Sequence, residues 1–236
     1  MSAVDRDMIL FADVAKTFVM HLRDGQRLSV VRDVTLDVAA GECVVLGGPS
    51  GIGKSSILKM IYGNYRTDEG HILVNARSGW TDVAAASPRQ IIALRQTTLG
   101  YVSQFLRTIP RVSALDIVTA AVREGESDAA VARERAGDLL GRLNVAQRLW
   151  HLPPATFSGG EQQRVNIARG LAARRPILLL DEPTASLDAA NRAVVIDLIE
   201  ARKREGVAVL GIFHDDDVRN RIADRVVDVT RFAPRT

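Results

Sequence analysis

Apolar residues alternate with polar ones at Val34, Leu36 and Val38, and the stretches 8–14 (MILFADV) and 28–38 (LSVVRDVTLDV) read as strands of a half-exposed sheet. After a turn at Gly41 and Glu42 comes CVVLG, 43–47, too short for a helix and bounded by glycine, which reads as a buried strand. Lys54 to Tyr62 sets Ile57, Leu58 and Ile61 on one helical face. Between Ser127 and Leu149 the helical spacing returns in Val131, Leu139, Leu140 and Leu143, with Ser127 and Asp128 as caps. Ile109-Pro110 and Pro153-Pro154 punctuate this region, and 105–155 reads as a helical insert. Beyond it the pattern predicts a helix over 160–173, a buried strand over 177–180, a helix over 190–204, and strands over 207–213 and 224–229. Helices alternating with wholly apolar strands predict an α/β fold whose parallel sheet is covered on both faces.

The chain has 236 residues, 47% hydrophobic and 25% charged, which suits an ordinary globular domain with a sizeable core. The longest apolar run, around Val207 to Phe213, is of strand length, far short of the roughly 18 to 20 residues of a membrane-spanning helix. The start, MSAVDRDMILF, has no basic stretch followed by an apolar segment and a cleavage site, so a cytoplasmic protein without direct membrane insertion is expected. Cys43 is the single cysteine and reads as a small buried hydrophobe. Net charge is +3, only four of the 31 basic residues are lysines, and the arginines are scattered among alanines. That distribution, with 5% aromatics to stack on bases, argues against nucleic acid as a partner.

Candidate chemistry begins at Gly48-Pro49-Ser50-Gly51-Ile52-Gly53-Lys54-Ser55, which fits G-x-x-x-x-G-K-[ST] between a predicted strand and a predicted helix. Glycines let the backbone wrap closely with its N–H groups turned inward, and the helix N-terminus adds positive potential, so the loop suits phosphate. Lys54 supplies a point charge for the β and γ phosphates and the Ser55 hydroxyl a ligand for Mg²⁺, with Ser56 beside it. The strand 177–180 runs straight into Asp181 and Glu182, two carboxylates at the edge where parallel sheets hold ligands. Asp181 is the expected Mg²⁺ partner, and Glu182 the group that polarises the attacking water.

A second anion-binding device, Ser158-Gly159-Gly160 opening a helix, follows in PATFSGGEQQR. Together these motifs resemble the nucleotide-binding subunit of the ATP-binding cassette (ABC) superfamily, whose signature SGGEQQR matches, over nearly the whole chain. The resemblance implies a P-loop NTPase of ABC ATPase fold, with a mostly parallel central sheet, an N-terminal antiparallel β subdomain and a helical insert. It implies one domain over 1–236, with a core at about 1–104 and 156–236 and a helical subdomain at about 105–155. It also implies ATP with Mg²⁺, and a homodimer, or a heterodimer with a related subunit, in which each signature closes on the ATP of the other. By the same resemblance Gln104 in GYVSQF is the Q-loop residue joining Mg²⁺ and water, Asp188 in SLD belongs to the D-loop, and His214 in GIFHDDD is the switch histidine. Phe18 in AKTFVM stands where an aromatic stacks on adenine. The catalytic pattern is complete, so turnover is expected.

Finer stretches, GWTD at 79–82 with Ser87-Pro88-Arg89, the run from Gly100 to Asp116, and Pro154 to Gly160, resemble subunit L of the bacterial carbon-phosphorus lyase system. That resemblance implies soluble lyase subunits as partners and a place in forming α-D-ribose 1-methylphosphonate 5-triphosphate. The alternatives are the ATPase of a lipoprotein-releasing or macrolide-type exporter, which shares the plan of 101–118, and a nucleotide-gated scaffold without turnover. Arg107 and Arg111, beside the Q-loop, sit where a cassette meets its partner.

Overall fold

A computed structural model describes residues 6–20, 25–104, 106 and 110–234. Four strands form an antiparallel sheet in the order β2-β1-β4-β5: β1 Asp7–Met20, β2 Gln26–Ala39, β4 Glu69–Ala76 and β5 Gly79–Asp82. Five form a second sheet, β6-β7-β8-β3-β9, from β3 Cys43–Gly47, β6 Leu99–Val102, β7 Ile177–Asp181, β8 Ala208–Ile212 and β9 Arg225–Asp228, every pairing of which is parallel. The expected fold class is therefore the observed one.

Parallel pairing sends all five strands the same way, so their C-terminal ends share one edge of the sheet. Side chains alternate across it. Val44, Leu46, Ile177 and Leu179 enter a core shared with the antiparallel sheet and α1 (Lys54–Ile61), whereas Cys43, Val45, Leu178 and Leu180 enter a core shared with helices on the opposite face. The helices of that second core are α3 Ala114–Val122, α4 Ala129–Arg142, α5 Gly159–Ala172 and α6 Ala189–Arg204, with Val218 and Ile222 of the short helix at 216–222 joining them. Two short helices, α2 Pro88–Thr97 and α7 Asp216–Ile222, complete the set. Burial pushes the Cys43 thiol up to about 12, so it packs as the inert hydrophobe expected of it.

Boundaries moved where tertiary contacts prolonged or cut a local pattern. β1 runs on to Met20 because Lys16 to Met20 pair with Val31 to Gln26, past register shifts that include one between Phe11 and Val14, where Asp13 has φ 52°. The helix predicted up to Leu149 stops at Arg142, since Asn144 turns the chain left-handed at φ 55°. Asp128 alone caps that helix, accepting from the N–H groups of Ala130 and Val131 at 2.8 and 3.1 Å, and Ser127 does not. Helix α2, not expected from periodicity, buries only Leu94 and owes its start to Pro88 and a reciprocal Ser87–Gln90 cap. Arg107 lies outside the described residues, and Arg111 is exposed with φ 64°.

Candidate active site

Between β3 and α1 the loop 48–53 turns left-handed at Gly48, Gly51 and Gly53, with φ of 118°, 82° and 107°. At Gly53 a Cβ would stand 2.7 Å from Val31 Cγ1, so glycine is required both by conformation and by the close approach of β2. Gly48, Pro49, Ser50 and Gly51 are exposed, and no side chain caps the first turn of α1. An exposed glycine loop thus leads into a helix N-terminus without a side-chain cap, where the dipole favours an anion. Lys54, 7% exposed, donates from Nζ to the carbonyl oxygens of Gly48 at 2.7 Å and Pro49 at 2.8 Å, placing its ammonium across the loop. Ser56 follows in α1, its N–H on Gly53 O at 3.0 Å.

From the end of β7, Asp181 reaches the same place. It is 4% exposed, a burial a carboxylate tolerates only with partners, and it has two. Ser55 Oγ donates to Oδ1 and Tyr101 OH to Oδ2, each at 2.9 Å. Burial and the Asp181 charge push the Tyr101 phenol well above its ordinary value, so it stays a neutral donor. Tyr101 in turn stacks on Tyr62 with ring centroids 4.9 Å apart. A hydroxyl beside a carboxylate oxygen is a hard donor set that fits Mg²⁺, an ion that takes one or two protein oxygens and keeps waters or phosphate for the rest. Tyr101→Phe would leave a buried carboxylate oxygen one donor short, and is expected to lower the unfolding free energy by about 1–3 kcal/mol. Urea unfolding checks this. An unchanged midpoint would mean that the phenol bond adds nothing to the fold.

Glu182, next along, sits at φ 53°, a left-handed conformation that costs a glutamate on the order of 1–3 kcal/mol and that clusters at functional sites. The turn swings its carboxylate out of the sheet line. Oε1 meets His214 Nε2 at 2.7 Å, and Oε2 accepts from Gln104 Nε2 at 3.2 Å. Glu182, Gln104 and His214 thus converge from the ends of β7, β6 and β8, because those strands are neighbours in one parallel sheet.

The remaining motif residues face elsewhere within the single chain. Ser158 caps α5 in a reciprocal arrangement: its backbone N–H and hydroxyl donate to Glu161 Oε2 at 2.9 and 2.7 Å, and these bonds hold the Glu161 carboxyl below its usual range. Ser158 and Gly159 are exposed, with Gly160 half-buried behind them. Asp188 caps α6, accepting from Asn191 N–H at 2.8 Å, which lowers its pKa too. Phe18 lies in the antiparallel sheet, half-buried, edge-on to Tyr65 at 5.0 Å with Lys16 Nζ 5.2 Å from its ring centroid.

Sequence reasoning missed Tyr101, the second holder of Asp181, and two amides on α5, Gln163 and Asn166. Both amides lie in a helix whose apolar spacing draws the eye to Val165, Ile167 and Leu171. A polar residue on the buried side of that helix was the available signal.

The sequence pattern of the ABC transporter family matches residues 31–185. The chain belongs to that family. It is 39% identical over 204 residues to the lipoprotein-releasing system ATP-binding protein LolD of Paramagnetospirillum magneticum, a match that covers 86% of this chain and 88% of the relative. It is 35% identical over 222 residues to the macrolide export ATP-binding/permease protein MacB of Brucella melitensis, covering 94% of this chain but 33% of that larger protein. In structure it follows the ATP-binding cassette MJ0796, solved as a dimer in a post-hydrolysis state bound to ADP and Pi, with a TM-score of 0.83, 27% identity, and 94% and 95% of the two chains covered. As an ABC ATPase the cassette hydrolyses ATP, which it binds with Mg²⁺. Among the described residues no helix is long and apolar enough to cross a membrane.

These relatives are named for lipoprotein release and macrolide export, and nothing in them supports the phosphonate lyase subunit or its soluble partners. The stretches that suggested that subunit encode local geometry. Gly79 starts β5 at φ 103°, Ser87-Pro88 opens α2, and Pro154–Thr156 forms a single 3-10 turn that leads into the Ser158 cap. Turns and caps of this kind follow from backbone requirements and say nothing of a partner.

Proposed function

We propose that this cassette is the ATPase subunit of a membrane exporter of the lipoprotein-releasing or macrolide-export type, working as a dimer beneath a separate permease. The observation that carries the reading is the match to a lipoprotein-releasing ATP-binding protein over 88% of that protein's length. The alternative of a scaffold without turnover fits the geometry less well, because His214 and Gln104 are each already bonded to Glu182 at the strand edge beside the phosphate loop.

In this reading the core spans about 1–104 and 156–236, and the helical subdomain about 105–155. The loop 48–53 and Lys54 hold the β and γ phosphates, Ser55 and Asp181 hold Mg²⁺ with Gln104 near it, and Phe18 supports adenine. Mg²⁺ supplies charge neutralisation on the phosphate oxygens. Glu182 orients and polarises the attacking water, and His214, on its other oxygen, stands where the γ-phosphate ends. Ser158, Gly159, Gly160 and Asp188, exposed or half-buried in one chain, meet the ATP of the opposing subunit, so that two incomplete half-sites become one dry site.

A cleft of about 360 Å³ between α3, α5 and β6 is the proposed seat for the permease. Asp116, Glu124, Arg95, Arg169 and Arg175 stand around an apolar floor of Leu99, Ile117 and Ala121 there, a mixture that suits a helix carrying both apolar and charged residues. The cleft adjoins Tyr101, so movement of an occupant reaches Asp181 through one hydrogen bond.

Affinity purification from detergent-solubilised host membranes tests the reading. The tagged chain is expected to bring down a permease encoded beside it, with ATP turnover altered by that permease. Capture of soluble phosphonate-degrading subunits instead, with no permease present, would reverse the assignment.

A further inference from the structure

We infer that Gln163 and Asn166, one turn apart on the buried face of α5, are positioning residues that set the rate of hydrolysis by holding the main chain on either side of the hydrolytic groups. The inference rests on the reading of Gln104 and Glu182 as those groups. Asn166 is fully buried and Gln163 is 4% exposed. A buried primary amide costs stability unless its donors and acceptor are paired, and an apolar side chain would fill either place as well. Here each amide donates to a main-chain carbonyl that belongs to neither helix nor sheet. Asn166 Nδ2 donates to the carbonyl oxygen of Ser103 at 2.6 Å and Gln163 Nε2 to that of Pro183 at 3.1 Å. Ser103 precedes Gln104 and Pro183 follows Glu182.

The two amides are also joined to each other, Asn166 Nδ2 approaching Gln163 Oε1 at 3.3 Å, while Arg169 donates to Asn166 Oδ1 at 3.4 Å. One stiff helical turn therefore grips both chain segments whose side chains meet at the 3.2 Å Gln104–Glu182 bond. Glu182 needs such a grip, because its left-handed φ of 53° persists only where the surroundings hold it. The same helix begins at Ser158, so a shift of α5 on closing over the opposing subunit's ATP is passed to the water-activating groups of its own subunit. Positioning of this kind acts on the chemical step and leaves ground-state ATP binding alone.

Phosphate release by the full chain, with ATP varied, separates the possibilities. Asn166→Ala is expected to lower kcat about tenfold with KM for ATP within twofold of the parent. Asn166→Leu keeps about the same shape, removes the donor without burying a charge, and is expected to show the same split, which covers the case in which the smaller side chain fails to fold. Gln104→Ala should itself be slow, and the Gln104→Ala/Asn166→Ala double variant no more than twofold slower than Gln104→Ala, since Asn166 acts through a group already removed. A parent-like kcat in both Asn166 variants, an equal change in KM, or a further tenfold loss in the double variant would overturn the inference. Full turnover in Gln104→Ala would instead overturn the reading of Gln104 on which it stands.

Discussion

Glu182→Gln is expected to cut phosphate release by a factor of about 10² to 10⁴, the range typical for losing a positioned proton acceptor, while ATP continues to bind. The substitution is close to isosteric, so the turn at φ 53° and the packing around a side chain only 16% exposed are retained. What is lost is the carboxylate. With Oε1 on His214 at 2.7 Å and Oε2 on Gln104 at 3.2 Å, both oxygens now accept, whereas an amide has one acceptor and presents its NH₂ to the other partner. Such a group can hold water but cannot draw a proton from it. Since the two half-sites separate only after hydrolysis in this reading, ATP should drive the variant into a dimer that persists. Phosphate-release assays and size-exclusion chromatography with and without ATP and Mg²⁺ check both parts. Turnover within threefold of the parent would remove Glu182 from the chemistry.

The second large effect is on binding. Lys54→Met should weaken ATP by roughly 10- to 150-fold, the equivalent of about 1.5–3 kcal/mol for charge-assisted hydrogen bonds, and abolish turnover at ordinary nucleotide levels. The physical basis is the position of Nζ, held by the carbonyl oxygens of Gly48 and Pro49 at 2.7 and 2.8 Å across the mouth of the loop. Those two bonds keep a buried ammonium in place until phosphate oxygens take it over. Methionine matches the stem and lacks the charge, and the amine it removes makes its hydrogen bonds only to loop carbonyls among the described residues, so the melting temperature should stay within a few degrees. Fluorescent-nucleotide titration at constant Mg²⁺ measures the loss. Unaltered affinity would mean that the loop amides alone bind the phosphates.

Elements whose instructions are local were legible in the chain itself. Gly48 to Ser55 is one contiguous loop, its left-handed positions are glycines, and the strand and helix that flank it follow from CVVLG and from Ile57, Leu58 and Ile61. Asp181 and Glu182 could be placed at a strand end for the same reason. The cap Asp128 acts within three residues of itself. Short segments of mixed polarity, such as α2 with its single buried leucine, carried too little periodicity to be read.

Tertiary structure alone decided the contacts that close the site. Ser55 and Asp181 are 126 positions apart, Tyr101 and Asp181 80, and Asn166 and Ser103 63. No pattern along the chain states that β8 inserts between β3 and β7, yet that order sets which strand ends become neighbours. The left-handed turn at Glu182 is likewise imposed from outside, since glutamate has no preference for it. Hydrophobic periodicity specifies which face of an element is buried but not against what. The pairing of faces is settled only when the whole core packs, and polar contacts such as the bonds from α5 to the main chain at Ser103 and Pro183 are consequences of that packing.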